Sequence, residues 1–238
     1  MKLLRALFFL REFFFPAGCA LCGAALITAE EAWYGLCGSC RGGLAPEPGE
    51  RCDSCGRPLI SEQGRCLNCR NGTAGALDRG ILLFPYTGKY RRLLGAYKFR
   101  KNLGLGHFFA EQIRDALKNS GTFPQGAVAL VPVPPRPGKI RKNGWDQVEY
   151  LAKLLDKGAG APPVCRCLRR LPSKNQKTLN REDRKINLQG RIVLLRKAPR
   201  QAIILDDVCT TGSTLEACAG ALKAGGAEKV YGLCLFYD

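Results

Sequence analysis

The second two-thirds of the chain alternates apolar segments of strand length with segments that have helical periodicity. Strand-like runs occupy residues 79–86, 127–134, 191–195, 201–208 and 229–237, and helix-like runs occupy residues 89–102, 103–118, 144–155 and 213–226. One face of the helical segment 144–155 collects Trp145, Val148, Leu151, Ala152 and Leu155. Strands that are apolar on both faces are typical of parallel sheets covered by helices, so the pattern predicts an α/β core with a parallel sheet. We therefore expect its ligand at the carboxyl ends of the strands.

The segment before this core predicts neither export nor a membrane anchor. Arg11 and Glu12 interrupt the apolar run of residues 1–18, and no small-residue cleavage site follows, which favours a short amphipathic helix over a signal sequence. A spanning helix needs about 18 or more apolar residues in a row, and we find no such segment. We expect a cytoplasmic protein without a membrane span, divided into residues 1–18, a cysteine-rich unit at 19–72 and the α/β domain at 78–238.

Residues 19–72 contain a duplicated cysteine unit. The stretch CALCGAAL at 19–26 returns as CDSCGRPL at 52–59, and each copy is followed by a second Cys-x-x-Cys pair. The eight cysteines are Cys19, Cys22, Cys37, Cys40, Cys52, Cys55, Cys66 and Cys69. Two thiolates on one tight turn fill half of a tetrahedral zinc site and a second turn completes it, so the spacing predicts two structural zinc ions. Sequential pairing keeps each repeat whole, with an interleaved arrangement as the alternative.

Two other roles for these cysteines are disfavoured. A disulfide scaffold is typical of exported proteins, and we expect no export signal here. Redox catalysis does not need four pairs at repeat spacing. Gly23 and Gly56, which follow the leading pairs, are expected to adopt a positive φ. The remaining cysteines are expected in the apolar core, and they are Cys165, Cys167, Cys209, Cys218 and Cys234.

Positive charge is concentrated in the second part of the chain. The formal net charge is +17, and residues 136–200 alone carry 18 Lys and Arg against five Asp and Glu. An excess of this size indicates a polyanionic partner. Residues 89–101 also contain six Lys and Arg and no Asp or Glu. Tyr90, Tyr97 and Phe99 lie between these cations, a pattern typical of proteins that stack on single-stranded nucleic acid. The candidate nucleic-acid residues are Lys89, Arg91, Arg92, Lys98, Arg100 and Lys101.

The stretch AIILDDVCTTGST at 202–214 predicts a phosphate site beside two carboxylates. Asp206 and Asp207 end an apolar strand, and the next loop leads into a helix N-terminus, whose free amides and dipole favour an anion. Gly212 lets the backbone approach that anion closely. The carboxylates would repel a phosphate but can accept hydrogen bonds from a vicinal diol, or hold Mg²⁺ through it. This combination describes a ribose 5′-phosphate, whereas neither a Walker loop nor a dinucleotide fingerprint occurs in the sequence.

The same stretch resembles the 13-residue 5-phosphoribosyl-1-pyrophosphate (PRPP) motif of type I phosphoribosyltransferases. The resemblance implies a type I phosphoribosyltransferase-like parallel sheet core that binds PRPP together with Mg²⁺. It implies that Asp206 and Asp207, as the catalytic residues, contact the ribose hydroxyls. It also implies that the 5′-phosphate is held by Thr210, Thr211, Gly212, Ser213 and Thr214.

Two further stretches widen the resemblance to nearly the whole chain. PVPPRPGKIRKNGWDQ at 132–147 and QKTLNREDRKIN at 176–187, together with the cysteine repeat, resemble the ComF family of competence-associated phosphoribosyltransferase-like proteins. That resemblance implies handling of incoming single-stranded DNA during natural transformation, beside an ATP-dependent helicase. The sequence departs from the family pattern where Asn143 replaces an arginine and Asp146 replaces an asparagine. The new carboxylate is expected to weaken a pyrophosphate site, and Arg141 and Lys142 to compensate.

Residues 169–190 predict a long basic loop, and the resemblance implies that this loop closes over the substrate, with a solvated basic face as the alternative. Cations around a pyrophosphate leaving group would stabilise the transition state of phosphoribosyl transfer. The candidates are Arg136, Lys139 and Arg141 before this loop and Lys174, Lys177 and Arg184 within it. PRPP alone does not account for the excess of positive charge at residues 136–200, and no acceptor site is evident, so we expect one protein that binds both PRPP and single-stranded DNA. The alternative is a metabolic phosphoribosyltransferase with a base or amine acceptor.

Overall fold

The computed structural model describes residues 18–72, 75–119, 121, 123, 128–172 and 190–238. The amphipathic helix expected at residues 1–18 lies outside the described residues except for its last position. Most of the loop expected at 169–190 also lies outside them, with its candidates Lys174, Lys177 and Arg184. Within the part of the chain that is described, no helix has the length and apolar character needed to cross a membrane.

A four-stranded parallel sheet forms the centre of the molecule, in the strand order β1-β6-β5-β2. The strands of the chain are β1 (Arg79–Pro85), β2 (Val128–Pro132), β3 (Leu168–Arg170), β4 (Ile192–Leu194), β5 (Gln201–Cys209) and β6 (Lys229–Tyr237). The two central strands, β5 and β6, are buried along almost their whole length. A central parallel strand needs apolar residues on both faces, which is the pattern that the sequence has there.

Helices cover both faces of this sheet. They are α1 (Ala29–Tyr34), α2 (Gly38–Gly42), α3 (Leu67–Asn71), α4 (Gly88–Arg100), α5 (Leu103–Asn119), α6 (Lys139–Asn143), α7 (Gln147–Lys157) and α8 (Ser213–Ala224). One apolar cluster joins α4, α5 and α7 to the sheet, and it contains Ile203 and Leu205 of β5. A second cluster joins α8 to the opposite face and contains Ala202 and Ile204. The alternation along β5 confirms the predicted α/β core with two covered faces.

The prediction that residues 191–195 belong to the parallel sheet is wrong. β4 instead pairs antiparallel with β3 in a separate two-stranded sheet, and β3 lies at the beginning of the segment expected to be a loop. Leu168 of β3 and Ile192 of β4 are buried in the same apolar cluster as α8. A short apolar run indicates that a segment is buried but carries no information about its pairing partner, which accounts for the error.

The helix expected at residues 144–155 begins three residues later, at Gln147. Asp146 is its N-cap and accepts hydrogen bonds from the amides of Val148 (3.0 Å) and Glu149 (3.1 Å). A carboxylate is among the best N-cap groups because it satisfies amides that have no partner within the helix. The preceding short helix α6 was not predicted, and it ends at Gly144, whose φ of 74° favours glycine.

The two cysteine repeats are attached to the core in different ways. The first repeat contributes Leu26, Leu36 and Leu44 to the apolar cluster of α4 and α5. Its Gly35 approaches Gly104 so closely that a Cβ on Gly104 would lie 2.7 Å from the Gly35 amide nitrogen. Residues 45–70, which include the second repeat, belong to neither apolar cluster of the described chain. Apolar burial therefore ties the core to the first repeat, and polar contacts tie it to the second.

Candidate functional site

A concave cup lies at the carboxyl end of β5. The chain turns after Cys209 and enters α8 at Ser213, with Gly212 in the left-handed region (φ 77°). Thr211 Oγ1 lies 2.7 Å from Ser213 Oγ, so the two hydroxyls share a hydrogen bond across the turn. Gly212 has no side chain to cap α8. The Ser213 amide donates to Thr211 Oγ1 (3.4 Å), and the next amides, those of Thr214 and Leu215, are available to an anion. The cup is lined by Asp206, Val208, Cys209, Thr210, Thr211, Gly212, Ser213, Thr214 and Leu215.

The structure brings all five candidate phosphate residues, Thr210 to Thr214, into this cup together with Asp206. Asp207 does not line it, because neighbouring strand residues point to opposite faces. Asp207 Oδ2 instead accepts hydrogen bonds from Lys98 Nζ of α4 (2.8 Å) and from Gln147 Nε2 of α7 (2.6 Å). The two carboxyls therefore flank the end of β5, one on the α8 side and one on the α4 side.

Asp207 is held in its ionised form. Burial alone would raise the pKa of Asp207, but the Lys98 ammonium and the hydrogen bonds from Lys98 and Gln147 lower this pKa below its ordinary value. The Lys98–Asp207 ion pair is largely shielded from solvent, with side-chain exposures of 31% and 9%. Lys98 and Gln147 are therefore the groups that fix this carboxylate.

Asp206 has the opposite environment. Burial and the neighbouring charge of Asp207 raise the pKa of Asp206 well above its ordinary value. Its Oδ1 accepts the Asp207 amide at 2.8 Å, and no described Lys or Arg forms an ion pair with it. A buried carboxyl without a cationic partner is a hallmark of functional sites, because a bound cation or donor can supply the missing partner.

The assignment of Lys98 to a nucleic-acid surface is not supported by its position. Its side chain points to Asp207, on the inner side of α4, whereas the neighbouring Phe99 and Arg100 are exposed. The sequence contains a signal for this: Lys98 is four residues after the buried Leu94, so the two share a helix face. Gln147 ends the stretch 132–147 that resembles the ComF family, and the sequence indicated no role for it.

A groove of about 480 Å³ lies between the segment after β2 and the β3-β4 sheet. It is lined by Pro134, Pro135, Arg136, Pro137, Gly138, Ile140, Arg141, Leu168, Arg169, Arg170 and Leu195. The predicted Arg136 and Arg141 thus lie together, and sequence reasoning missed Arg170 because β3 was expected to be a loop. Burial and the nearby charge of Arg136 lower the pKa of Arg170, while Asp206 acts on that pKa in the opposite direction. The groove therefore collects cations close to the carboxyl of Asp206.

Lys139, the third cation predicted for a pyrophosphate, does not line this groove. Its ammonium lies 2.5 Å from Asp146 Oδ2 and also donates to Gln147 Oε1. Asp146 is therefore neutralised by Lys139 while it caps α7. Asparagine would also serve as an N-cap, so what the departure from the family pattern at Asp146 adds is the ion pair with Lys139, which offsets the expected repulsion of a pyrophosphate.

The eight repeat cysteines form two separate clusters. Cys19, Cys22, Cys37 and Cys40 make one cluster and Cys52, Cys55, Cys66 and Cys69 make the other, with all four sulfurs of each within 4.8 Å of one another. In a tetrahedral site with Zn–S bonds of about 2.3 Å, sulfurs lie about 3.8 Å apart. The observed 3.7 Å between Cys22 and Cys37, and between Cys55 and Cys66, fits this geometry. The predicted sequential pairing is confirmed, and the two sites support two structural zinc ions.

The two clusters are built by the same local structure. The first cysteine of each repeat donates its amide to a carbonyl five residues on, from Cys19 to Ala24 and from Cys52 to Arg57, at 2.8 Å in both. Gly23 and Gly56 have φ of 78° and 74°, as predicted. Burial would raise the pKa of Cys19 and of Cys52, but hydrogen bonds from backbone amides lower both pKa values to about 6. The first cysteine of each repeat thus favours the thiolate, the form that binds zinc, whereas burial and the neighbouring sulfurs raise the pKa of Cys40 and of Cys55.

The outer side of α4 presents cations to solvent. Lys89, Arg91, Arg92, Arg100 and Lys101 are exposed, as predicted. The prediction that Tyr90 and Tyr97 stack on bases is wrong, because both are buried in the core, whereas Phe99 is 77% exposed. Two of the three aromatic residues in this basic segment therefore pack in the core. Nothing about the cations around them in the sequence indicated this.

The fold and its two kinds of site define an α/β protein with a candidate phosphate-binding cup and a pair of four-cysteine metal centres. A family model described as a double zinc ribbon domain matches residues 10–70, which contain both cysteine clusters. Competence protein F of Haemophilus influenzae is 25% identical over 224 residues, which cover 91% of this chain and 95% of that protein. Competence protein ComFC of Bacillus subtilis is 27% identical over 197 residues, covering 80% and 79%. DNA utilization protein YhgH of Salmonella typhimurium is 26% identical over 231 residues, covering 92% and 96%.

These similarities, together with the double zinc ribbon match, support an assignment to the ComF family. The similarity to two of these relatives extends over both the zinc ribbons and the α/β core, because it covers 91% and 92% of this chain.

Proposed function

We propose that this protein binds Mg²⁺ and PRPP at the cup, binds single-stranded DNA along α4, and acts in DNA uptake. The names of its relatives, two competence proteins and a DNA utilization protein, support the last point. The observation that carries the first is the buried carboxyl of Asp206 beside the uncapped N-terminus of α8. The helicase partner and the cytoplasmic location stay predictions from the family resemblance.

The cup suits the ribose 5-phosphate half of PRPP. The 5′-phosphate accepts hydrogen bonds from the first amides of α8 and from the hydroxyls of Thr211 and Ser213. The ribose hydroxyls donate to the carboxyls that flank the end of β5. Both side-chain donors to Asp207 reach Oδ2, so Oδ1 is the oxygen that we assign to the ribose. When bound, Mg²⁺ supplies positive charge to these oxygens, its preferred ligand type.

The groove beside the cup suits the pyrophosphate half. Arg136, Arg141 and Arg170 line it, and the charge of Arg136 is close enough to Arg170 to lower the pKa of Arg170. An anion in the groove relieves this repulsion between cations. If phosphoribosyl transfer takes place, the same guanidinium groups stabilise the negative charge that builds up on the departing pyrophosphate.

Titration with four ligands tests the assignment of both halves. PRPP, ribose 5-phosphate, pyrophosphate and inorganic phosphate are each added with Mg²⁺, and PRPP is expected to bind most tightly because it engages both cup and groove. If pyrophosphate alone binds as tightly as PRPP, the ribose assignment is wrong. Release of pyrophosphate on addition of a nucleobase or amine would favour the metabolic phosphoribosyltransferase instead.

The outer side of α4 suits single-stranded DNA. Among the described residues, Arg91, Arg92 and Arg100 form no ion pair with an acid, and Phe99 extends into solvent beside Arg100. Cations follow the phosphate backbone and an exposed ring stacks on a base without selecting its identity. α4 also joins the two proposed sites, because Lys98 faces Asp207 from the inner side of the same turn.

Replacing Phe99 with alanine is expected to weaken single-stranded DNA binding about tenfold, because one base loses its stacking partner. In the double variant Arg92→Gln/Arg100→Gln, the slope of log affinity against log salt should fall by about 1.4, since two phosphate contacts are lost. Fluorescence anisotropy with a labelled oligonucleotide measures both. Arg200→Gln is the matched control, because Arg200 is exposed at the other end of β5 and paired with Glu228. Equal effects in the control and in the α4 variants would show that α4 is not the DNA surface.

A further inference from the structure

The second zinc ribbon reaches the phosphate-binding cup through one side chain. Arg57 follows Gly56 of the second knuckle, and its guanidinium donates to the main-chain carbonyls of Thr210 and Asp238. Thr210 is the first residue of the cup turn, and the Asp238 amide in turn donates to the Cys209 carbonyl (3.1 Å). One guanidinium thus joins the beginning of the turn to the end of β6.

The backbone that carries Arg57 is itself fixed against the sheet. The Gly80 amide of β1 donates to the Ser54 carbonyl at 2.8 Å. A Cβ on Gly80 would lie 2.5 Å from the Cys55 carbonyl oxygen, so only glycine permits this approach. From the other side, the Tyr237 hydroxyl donates to Glu47 Oε2 at 3.0 Å. The side chain of Arg57 therefore extends from a fixed origin.

Comparison of the two repeats shows that a zinc ribbon of this kind does not require an arginine at the position of Arg57. Ala24 takes the place of Arg57 in the first repeat, and both use only a main-chain carbonyl to close the knuckle. An alanine at this position is therefore compatible with a complete four-cysteine cluster. The long cationic side chain in the second repeat therefore serves a contact outside the ribbon. This contact is its pair of hydrogen bonds to the carbonyls of Thr210 and Asp238.

We propose that Arg57 is a positioning residue for the phosphate site, through which the second zinc ribbon sets the shape and charge of the cup. A trans peptide directs its carbonyl and its amide to opposite sides, so a guanidinium on the Thr210 carbonyl fixes the direction of the Thr211 amide. Arg57 does not itself line the cup, so it acts on a bound phosphate through the backbone of the turn. This inference rests on the proposed PRPP function and names the residue outside the motif on which phosphate affinity depends.

The test compares Arg57→Ala, Arg57→Lys and the control Arg79→Ala. Arg79 pairs with Asp53 at the same face of the second ribbon but does not touch the turn. Arg57→Ala should keep two zinc ions per chain and bind Mg-PRPP about tenfold more weakly, the effect of losing charge-assisted hydrogen bonds. Arg57→Lys keeps the charge but not the two-pronged geometry, so its affinity should be intermediate. Arg79→Ala should bind as the wild type does.

A second measurement needs no ligand. Hydrogen exchange of the peptide that spans residues 206–216 should become faster in Arg57→Ala, while exchange in α5 stays as in the wild type. Equal exchange of this peptide in wild type and Arg57→Ala, or equal Mg-PRPP affinity, overturns the proposal. Failure of the PRPP function itself is recognised separately, because the wild type would then bind no Mg-PRPP even where exchange at the turn depends on Arg57.

Discussion

Asp206→Asn makes the protein more stable, whereas Asp207→Asn makes it less stable. The folded state raises the pKa of Asp206, so ionised Asp206 opposes folding once the pH exceeds the pKa of the unfolded chain. Asparagine keeps the Oδ1 acceptor for the Asp207 amide without the charge, and a gain of about 1 kcal/mol in the free energy of unfolding is expected. Thermal or urea unfolding at neutral pH measures it.

Asp207 has the reverse linkage. Its folded pKa is lowered, so the stability that it contributes is present above the pKa of the unfolded carboxyl and is lost as the pH falls through the folded pKa. Asp207→Asn leaves the Lys98 ammonium without its anion, and the loss is expected to be about 2 kcal/mol, reduced from the fully buried case because Lys98 is partly solvated.

The pH dependence supplies the control for both variants. As the pH is lowered, wild-type Asp206 takes up its proton first, so the gain of Asp206→Asn should shrink while the loss of Asp207→Asn persists to lower pH. The two changes in the free energy of unfolding need not be equal in size. Changes of the same sign at neutral pH would contradict the assignment of the two protonation states. Both variants should bind Mg-PRPP more weakly than the wild type.

Loss of the first zinc ion is expected to unfold the core, whereas loss of the second leaves a folded core. In Cys37→Ser/Cys40→Ser, the first ribbon can no longer hold Leu26, Leu36 and Leu44 in the main apolar cluster. Each buried leucine stabilises by about 2 kcal/mol, so the three together contribute about 6 kcal/mol, within the 5–15 kcal/mol that is the total stability of an ordinary domain. Circular dichroism during thermal unfolding, with the zinc content per chain, measures the effect.

The matched variant is Cys66→Ser/Cys69→Ser, which removes the equivalent pair from the second repeat. Residues 45–70 contribute nothing to either apolar cluster of the described chain, so the core should keep a cooperative transition with one zinc ion per chain. The same loss of stability in the two variants would show that apolar packing of the first ribbon does not determine the difference. Cys165 belongs to neither four-cysteine cluster, so Cys165→Ser should keep two zinc ions per chain and resemble the wild type.

The parallel core and the zinc ligands were predictable because each rests on a local pattern. Both faces of a central strand such as β5 are apolar in the sequence itself, and four thiolates at repeat spacing leave few alternatives. β3 and β4 were not predictable, because their pairing is set by contacts between residues 22 to 26 positions apart and not by their own composition. Tertiary packing also decided which aromatic residues of α4 became core.

The candidate site was predictable along β5 and the following turn, but not across elements. The motif pointed to Asp206, Asp207 and the candidate phosphate residues because they lie within one short stretch of sequence. Lys98, Gln147 and Arg57 reach the same region from α4, α7 and the second ribbon. No local pattern predicts that these side chains lie near one site, because a cation on a helix can face solvent or a buried partner. The net charge therefore suggested that Lys98 binds DNA when its partner is Asp207.

The most direct test of the account is a calorimetric titration of Mg-PRPP into the zinc-loaded wild-type protein, with Asp206→Asn as the comparison. Saturable binding at one site per chain is expected, weakened about tenfold or more in the variant because the ribose hydroxyls and Mg²⁺ lose a carboxyl that can ionise when the cation binds. No binding by a folded protein that holds two zinc ions per chain would contradict the PRPP site, and equal binding by Asp206→Asn would contradict the role of this carboxyl.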